Sequence, residues 1–291
     1  MIKISNISKS YGDIKALDNL SLTIKEGSIF GLLGVNGAGK TTLLSILNGL
    51  IKIDTGSIDI FGFDIQKHKK EINKISSIIP QHLAFYENLT VKENLDFFAK
   101  IQNARKEDYE KSIEINSLTN LLNQKSSTLS GGQKRRLNIA IGLLNNPKII
   151  YFDEPTVGVD PKSRNEILDS IKSYKKLGIT VIYTSHYMTE IEKICDEVAI
   201  LENGRLIKQD SLENLLSNKV SNKIVIEIIN SKNTKLLNLD IEDDLFINTN
   251  QKELFDTISL LNKNNILIKQ IRYGATNLEK YFLDMTGNND A

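Results

Sequence analysis

An α/β fold built on a wound, mostly parallel sheet is what this sequence predicts, and three observations predict it. A glycine-rich loop, Gly34 to Thr42 (GVNGAGKTT), sits between an apolar run, SIFGLL, and a stretch with helical spacing, TTLLSILNGL. Two more apolar runs, KIIYFD and ITVIYTSH, are separated by a helical pattern that ends at Gly178. Strands that alternate with helices in this way argue for parallel pairing with helices on the faces. The segment between these halves, about 88–145, has helical periodicity and no strand candidate, so it reads as a helical subdomain inserted in the α/β core.

The elements follow in order. Met1 to Ser8 and Ser21 to Ile24 alternate enough to be edge-type strands, with SYGDIKALDNL between them. SIFGLL is a buried strand, and Thr41 to Leu50 a helix. Thr55-Gly56 reads as a turn before the short strand SIDIFG, and Lys74 to Pro80 as a strand that stops at Pro-Gln. Thr90 and Glu93 are spaced as a capping Thr and a Glu at the third helical position. Helix is expected through LDFFAKI and EKSIEINSLTNLL, and again from Leu129-Ser130 to about Asn145. YMTEIEKIC is a helix, and EVAILENGRLIKQD a hairpin turning at Asn203-Gly204. From about Lys219 the texture changes: KIVIEIIN, LFINTN and ILIKQIRY are strand candidates, QKELFDTISLLNKNN and TNLEKYFLDMTG helices. These form a separate small α+β domain with no catalytic cluster.

Composition excludes some classes. Of 291 residues 40% are hydrophobic and 25% charged, which is ordinary for a globular protein. Against 36 acidic residues stand 37 basic ones, so nothing argues for bulk attraction to nucleic acid or anionic lipid. The single cysteine, Cys195, suits a reducing compartment and reads as a small apolar residue in a helix. The N-terminus lacks the apolar core of a signal peptide, and no apolar run approaches the ~20 residues needed to span a bilayer.

The loop carries the first chemistry. Gly34, Gly39, Lys40 and Thr41 fall at the fixed places of the pattern Gly, four residues, Gly-Lys-Ser/Thr. Glycines at 34, 37 and 39 let successive N–H groups point inward at an anion, and Asn36, Ala38 and Thr42 complete the loop. The helix start adds a favourable field. Lys40 supplies a mobile charge for β- and γ-phosphates, and the Thr41 hydroxyl is a hard oxygen ligand suited to Mg²⁺. KIIYFDEP, Lys148 to Pro155, then places two acids at the C-terminal end of an apolar strand, where wound sheets line their ligand crevice. Asp153 can hold Mg²⁺ opposite Thr41, and Glu154 can polarise a water that attacks the γ-phosphorus. A second Ser-plus-glycine loop at a helix start, LSGGQ (Leu129 to Gln133), suggests a nucleotide clamped between two surfaces. Lys134, Arg135 and Arg136, which follow it, read as solvated helix residues. His186 and Glu190, four apart, could form a metal pair, but no second His or Cys completes a zinc site nearby.

With LSGGQ intact, the sequence resembles the ATP-binding cassette (ABC) ATPases over Met1 to Leu216, about three-quarters of the chain. The resemblance implies a P-loop NTPase core with an N-terminal antiparallel β subdomain and the inserted helical subdomain, together residues 1–218, followed by the α+β domain at 219–291. It implies an ATPase using ATP and Mg²⁺ in a head-to-tail homodimer, where Ser130, Gly131, Gly132 and Gln133 of one copy complete the site on the loop of the other. Tyr11 is similar to the aromatic that stacks on adenine. Gln81, in SIIPQ, is similar to the glutamine that reaches Mg²⁺ and the attacking water. Asp160, in VGVD, is similar to the acid of the loop at the dimer interface, and His186 to the switch histidine that senses the γ-phosphate.

The tail phrase TNLEKYFLDMTG resembles that of bacterial drug- and antibiotic-export subunits. The implied function is export through a separate integral membrane permease, from the cytoplasmic face of the membrane, without nucleic acid. The permease is expected to dock around Ala84 to Leu89. Two alternatives stay open: an importer subunit, or a soluble cassette ATPase acting on ribosome or nucleic acid. The latter usually carries two cassettes or long coiled-coil insertions, and this chain shows one cassette and no sustained heptads.

Overall fold

The computed structural model describes residues 1–217, 223–229, 239–242, 246–250 and 252–273, with 278, 281 and 282. The chain divides into two compact units, Met1–Leu212 and Glu213–Ala291.

The first unit opens with the hairpin β1 (Ile2–Tyr11) and β2 (Ile14–Ile24). It pairs on to β4 (Thr55–Ile60) and β5 (Phe63–Asp64) as an antiparallel sheet of order β2-β1-β4-β5. Both hairpin strands are longer than expected, because pairing continues to Tyr11↔Ile14 around Gly12 at φ 57°. Bulges between Ile4 and Ile7 and between Ile7 and Lys9 break the alternation that would have revealed this. The expected turn at Thr55-Gly56 is instead the start of β4, opposite a bulge between Ser5 and Ser8.

Behind this sheet lies the second, with β3 (Ile29–Leu33), β6 (Ser76–Ile79), β7 (Ile149–Asp153), β8 (Thr180–Thr184), β9 (Glu197–Glu202) and β10 (Arg205–Ser211). Its order is β10-β9-β3-β8-β7-β6; the last five are parallel, and β10 returns antiparallel. The return uses Asn203 and Gly204 at φ 49° and 77°, the left-handed pair that a two-residue hairpin favours. β3 is buried along its whole length, as a strand covered on both faces must be. Helix α1 (Lys40–Leu47) and the inner faces of both sheets share one core that includes Ile4, Leu20, Phe30, Leu44, Ile58 and Tyr151. On the opposite face of the parallel sheet, Phe152 stacks on Tyr174 of α6 (Pro161–Lys176) at 6.4 Å and touches Tyr183. The strand expected from Lys74 begins two residues later, since Lys74 and Ile75 end the short helix α2 (Lys69–Ile75).

The inserted part holds α3 (Val91–Gln102), α4 (Lys106–Ile115) and α5 (Gly131–Leu143) around Leu95, Leu118, Leu137 and Ala140. Thr90 and Glu93 form the reciprocal cap expected of them. α4 stops at Ile115, short of the helix expected through Leu122, because Ser117 turns left-handed (φ 51°). There the Leu118 N–H donates to Ile113 O and the Ser117 N–H to Glu114 O. That is the helix-ending motif that usually announces itself with glycine, here built on serine. Gly178 ends α6 in the same way, and its glycine made that end visible. The last helix of this unit before its closing hairpin is α7 (Met188–Ile194).

After α8 (Leu212–Ser217), the second unit has β11 (Lys223–Ile228), β12 (Asp240–Glu242), β13 (Phe246–Asn250), α9 (Leu254–Lys263) and β14 (Ile268–Tyr273). The strands form an antiparallel sheet of order β12-β13-β11-β14, and Leu261 of α9 packs with Ile226, Ile247 and Ile266. Apart from 278, 281 and 282, the expected closing helix TNLEKYFLDMTG lies outside the described residues. Among the described residues no helix is long and apolar enough to cross a membrane.

Candidate functional site

The glycine loop leaves β3 and enters α1 under two close neighbours. A Cβ at Gly34 would meet Leu201 O at 2.6 Å, and one at Gly39 would meet Ala16 O at 2.6 Å. Only glycine fits at either place, and Gly39 also sits at φ 100°. The loop is fastened from below, since Gly204 N–H donates to Ala38 O at 3.2 Å. Asn36, Gly37 and Thr41 are exposed, while Ala38 and Lys40 are buried and Thr42 is half-buried. Lys40 Nζ donates to Gly34 O at 2.7 Å and Val35 O at 3.1 Å. Burial lowers the Lys40 pKa, and the negative charges of Glu154 and Asp153 oppose that shift. The loop lysine and the two strand-end acids are therefore close enough for their charges to act on one another.

At the exit of β7, Asp153 Oδ1 accepts from Thr184 Oγ1 at 3.0 Å. Glu154 is left-handed at φ 48°, a conformation that costs a non-glycine residue about 1–3 kcal/mol. Its N–H is held by Thr184 Oγ1 at 3.0 Å. So turned, Glu154 meets His186 from the exit of β8: Nε2 lies 2.5 Å from Oε1. His186 therefore faces Glu154, and the spacing that suggested a metal pair with Glu190 has another use. Glu190, 2% exposed, accepts from the hydroxyls of Thr156, Tyr183 and Ser185. Sequence reasoning assigned it no such part.

Tyr11 ends β1 about half-exposed, with Lys9 Nζ 5.7 Å from its ring centre. Gln81 follows β6 and is exposed. Ser130 caps α5: its Oγ accepts from Gln133 N–H at 3.3 Å, and Gln133 Oε1 accepts from Ser130 N–H at 2.9 Å. Among the described hydrogen bonds none joins 130–133 to the loop at 34–42. Gly131 is exposed. A Cβ on Gly132 would collide with the side chain of Ser163, one turn into α6. Asp160 caps α6, accepting from Lys162 N–H at 3.1 Å and Ser163 N–H at 3.0 Å; the bond from Ser163 holds its carboxyl below the usual range.

The three basic residues after this loop are not solvated as expected. Lys134 pairs with Glu87 at 2.8 Å and Arg136 with Glu166 at 3.1 Å. Arg135 is 4% exposed and donates to the carbonyls of Pro80 and Gln81. The signal available was position: Arg135, Ile139 and Gly142 share one face of α5, turned toward β6.

An apolar hollow of about 310 Å³ lies beside the helical part, lined by Tyr86, Glu87, Asn88, Leu89 and Phe97. The Tyr86 ring meets Phe97 edge-on at 5.2 Å.

Comparison with known proteins bears on this arrangement. A sequence profile described as "ABC transporter" matches residues 17–157. Over 306 aligned residues the chain is 34% identical to the linearmycin resistance ATP-binding protein LnrL of Bacillus subtilis (strain 168), across 99% of this chain and 98% of that one. It is 36% identical over 304 residues to the bacitracin transport ATP-binding protein BcrA of Bacillus licheniformis, across 99% and 97%. Among solved structures, it is similar to the dimeric, post-hydrolysis ATP-binding cassette MJ0796 bound to ADP and Pi, with a TM-score of 0.65 and 29% identity over 73% of this chain and 99% of that one.

Proposed function

Since this chain belongs to the ABC transporter family as one of its ATP-binding, ATP-hydrolysing subunits, we propose that it powers export of a drug-like or antibiotic substrate through a separate membrane permease. The observation that carries the enzymatic part is the contact of Glu154 Oε1 with His186 Nε2 beside the electrostatic site of Lys40. Residues 1–218 are the ATPase domain and 219–291 a small α+β domain.

The loop N–H groups at Gly34 to Thr42 bind the phosphates, with Lys40 leaving its two carbonyl partners for the β- and γ-oxygens. Tyr11 stacks on the adenine. Glu154 takes the proton of the attacking water, and His186 holds Glu154 in position and senses the γ-phosphate. The hydroxyl of Thr41, the carboxylate of Asp153 and the side-chain oxygen of Gln81 are hard donors that fit Mg²⁺. When bound, the ion would neutralise charge on the phosphates.

Ser130, Gly131, Gly132 and Gln133 complete the site of a second copy across a head-to-tail homodimer, with Asp160 close to that interface. In the cap Ser130 Oγ only accepts, from the Gln133 N–H, so its hydroxyl proton is left to donate to the γ-phosphate of a second copy. Nucleotide bound between two copies favours the closed dimer, and hydrolysis removes the bridge. The permease, which places this subunit at the cytoplasmic face of the membrane, docks against the hollow at Tyr86 and Phe97. The names of the two relatives, one of resistance and one of bacitracin transport, support export over import.

Hydrolysis measured against subunit concentration tests the shared site. The rate per subunit is expected to rise with concentration until dimers saturate. Full turnover by chains shown to be monomeric would overturn the proposal.

A further inference from the structure

We propose that Glu190 is a positioning residue for hydrolysis, the buried anion that holds the exits of β7 and β8 in the register Glu154 and His186 require. It rests on the ATPase reading above. Glu190 stands on α7 with 2% exposure, and its carboxylate is surrounded by donors from separate elements. The Thr156 hydroxyl donates to both oxygens, at 2.8 and 2.9 Å, from two residues beyond Glu154. The Ser185 hydroxyl donates to Oε2 at 2.5 Å, from the residue before His186. The Tyr183 hydroxyl, within β8, reaches the same oxygen at 2.8 Å. Arg164 of α6, four residues beyond Asp160, brings Nε to 3.5 Å of Oε1 and lays its guanidinium 4.4 Å from the Tyr187 ring centre.

A carboxylate suits this place because it only accepts. Every group pointed at it is a donor, and burial followed by the charge of Glu190 keeps the Tyr183 phenol protonated well above its ordinary range. The geometry of the two working residues depends on the tie. Glu154 leaves β7 left-handed and His186 leaves β8 in a short turn, whose Tyr187 N–H donates to Ser185 Oγ at 3.0 Å. One strand exit carries Thr156 and the other Ser185, and both converge on Glu190. Nearer the strand ends, Thr184 Oγ1 makes further cross-ties, accepting from the Glu154 N–H and donating to Asp153 Oδ1. Loss of the anion frees the two exits beyond those ties, and a shift of one ångström in such a pair is enough to lower turnover about a hundredfold. The second consequence is reach: Arg164 carries the same anion to α6, whose first turn is capped by Asp160.

The test is steady-state ATP hydrolysis by the full chain carrying Glu190→Gln, alone and with His186→Ala, beside the unsubstituted chain. For Glu190→Gln, kcat falls about tenfold or more while KM for ATP stays within about twofold, the pattern of a group that acts on turnover. On the His186→Ala background the same substitution lowers kcat by a smaller factor than it does alone, because one of the two residues it positions is gone. An unchanged kcat in the folded single variant, or fully additive losses in the pair, overturns the inference while leaving the ATPase reading intact. An unsubstituted chain without ATPase activity overturns the reading itself. Should Glu190→Gln not fold, Ser185→Ala and Thr156→Val each remove one donor from the same anion. Each is expected to lower kcat several-fold at unchanged KM, and wild-type kcat in both folded variants overturns the inference.

Discussion

The guanidinium of Arg135 donates to the main-chain carbonyl of Gln81 across 2.7 Å and to that of Pro80 across 2.9 Å. The helix that begins at Ser130 is thereby tied to the loop that carries Gln81. Arg135→Ala leaves two carbonyls without their donor, and a cost of about 1–3 kcal/mol in unfolding free energy is expected. ATP hydrolysis should fall about tenfold as the Gln81 loop loosens, with ATP affinity retained. Arg135→Lys, a single point donor, should restore part of the rate. Denaturant titration and a fluorescent-nucleotide binding curve beside the rate check both parts; an unchanged rate refutes the coupling.

Glu154→Gln keeps the shape of the side chain and removes the proposed base. Hydrolysis is expected to drop by about 10²–10⁴-fold. ATP still binds, so a dimer accumulates, visible by size exclusion with light scattering. A monomer in saturating ATP would count against two copies sharing each site.

Lys40→Ala acts on an earlier step. With Lys40 proposed to give its charge to the triphosphate, affinity for ATP should fall by about tenfold or more, with the loss smaller for AMP. Titration calorimetry gives both affinities. Equal affinity for ATP in the variant would contradict the assigned role.

Tyr86, 52% exposed, forms one wall of the hollow with Phe97. Tyr86→Glu places a charge where an apolar partner segment is expected. Substrate export in membranes should be lost while the isolated subunit still binds ATP. Undiminished export would move the docking site elsewhere.

Cys195 is 7% exposed, and burial pushes its thiol well above the ordinary value. A thiol reagent at pH 8 should label less than about a tenth of the native chain in the time that labels the unfolded chain fully, because thiolate and access are both lacking. Mass spectrometry of the intact chain reads the outcome. Rapid native labelling would mean that the α7–β9 corner opens readily.

What could be read in the sequence was what is local. GVNGAGKTT, with a strand before it and a helix after it, carries its setting within a few residues, and Asp153-Glu154 ends a strand that is visibly buried. Capping at Thr90 and the end of α6 at Gly178 were legible for the same reason. The edges of β1 and β2 were not, because bulges shift the alternation. Nor was the end of α4, where Ser117 does what glycine usually does. The two buried ties escaped on different grounds. Arg135 reaches a carbonyl 54 positions away, and Glu190 a hydroxyl 34 positions away. Only the folded chain brings those partners together, and a charge after a glycine loop is more often solvated than not.

The crowding of Gly132 against Ser163 bears on how genetics in this protein should be interpreted. Any larger residue at 132 pushes α5 off α6 inside a single subunit, so a screen for lost ATPase activity would recover that position whatever lies outside it. Next door, a Cβ at Gly131 has 3.7 Å to the carbonyl of Gly158. An alanine tolerated by its own chain but not by the working transporter would make 131, and not its more crowded neighbour, the informative allele.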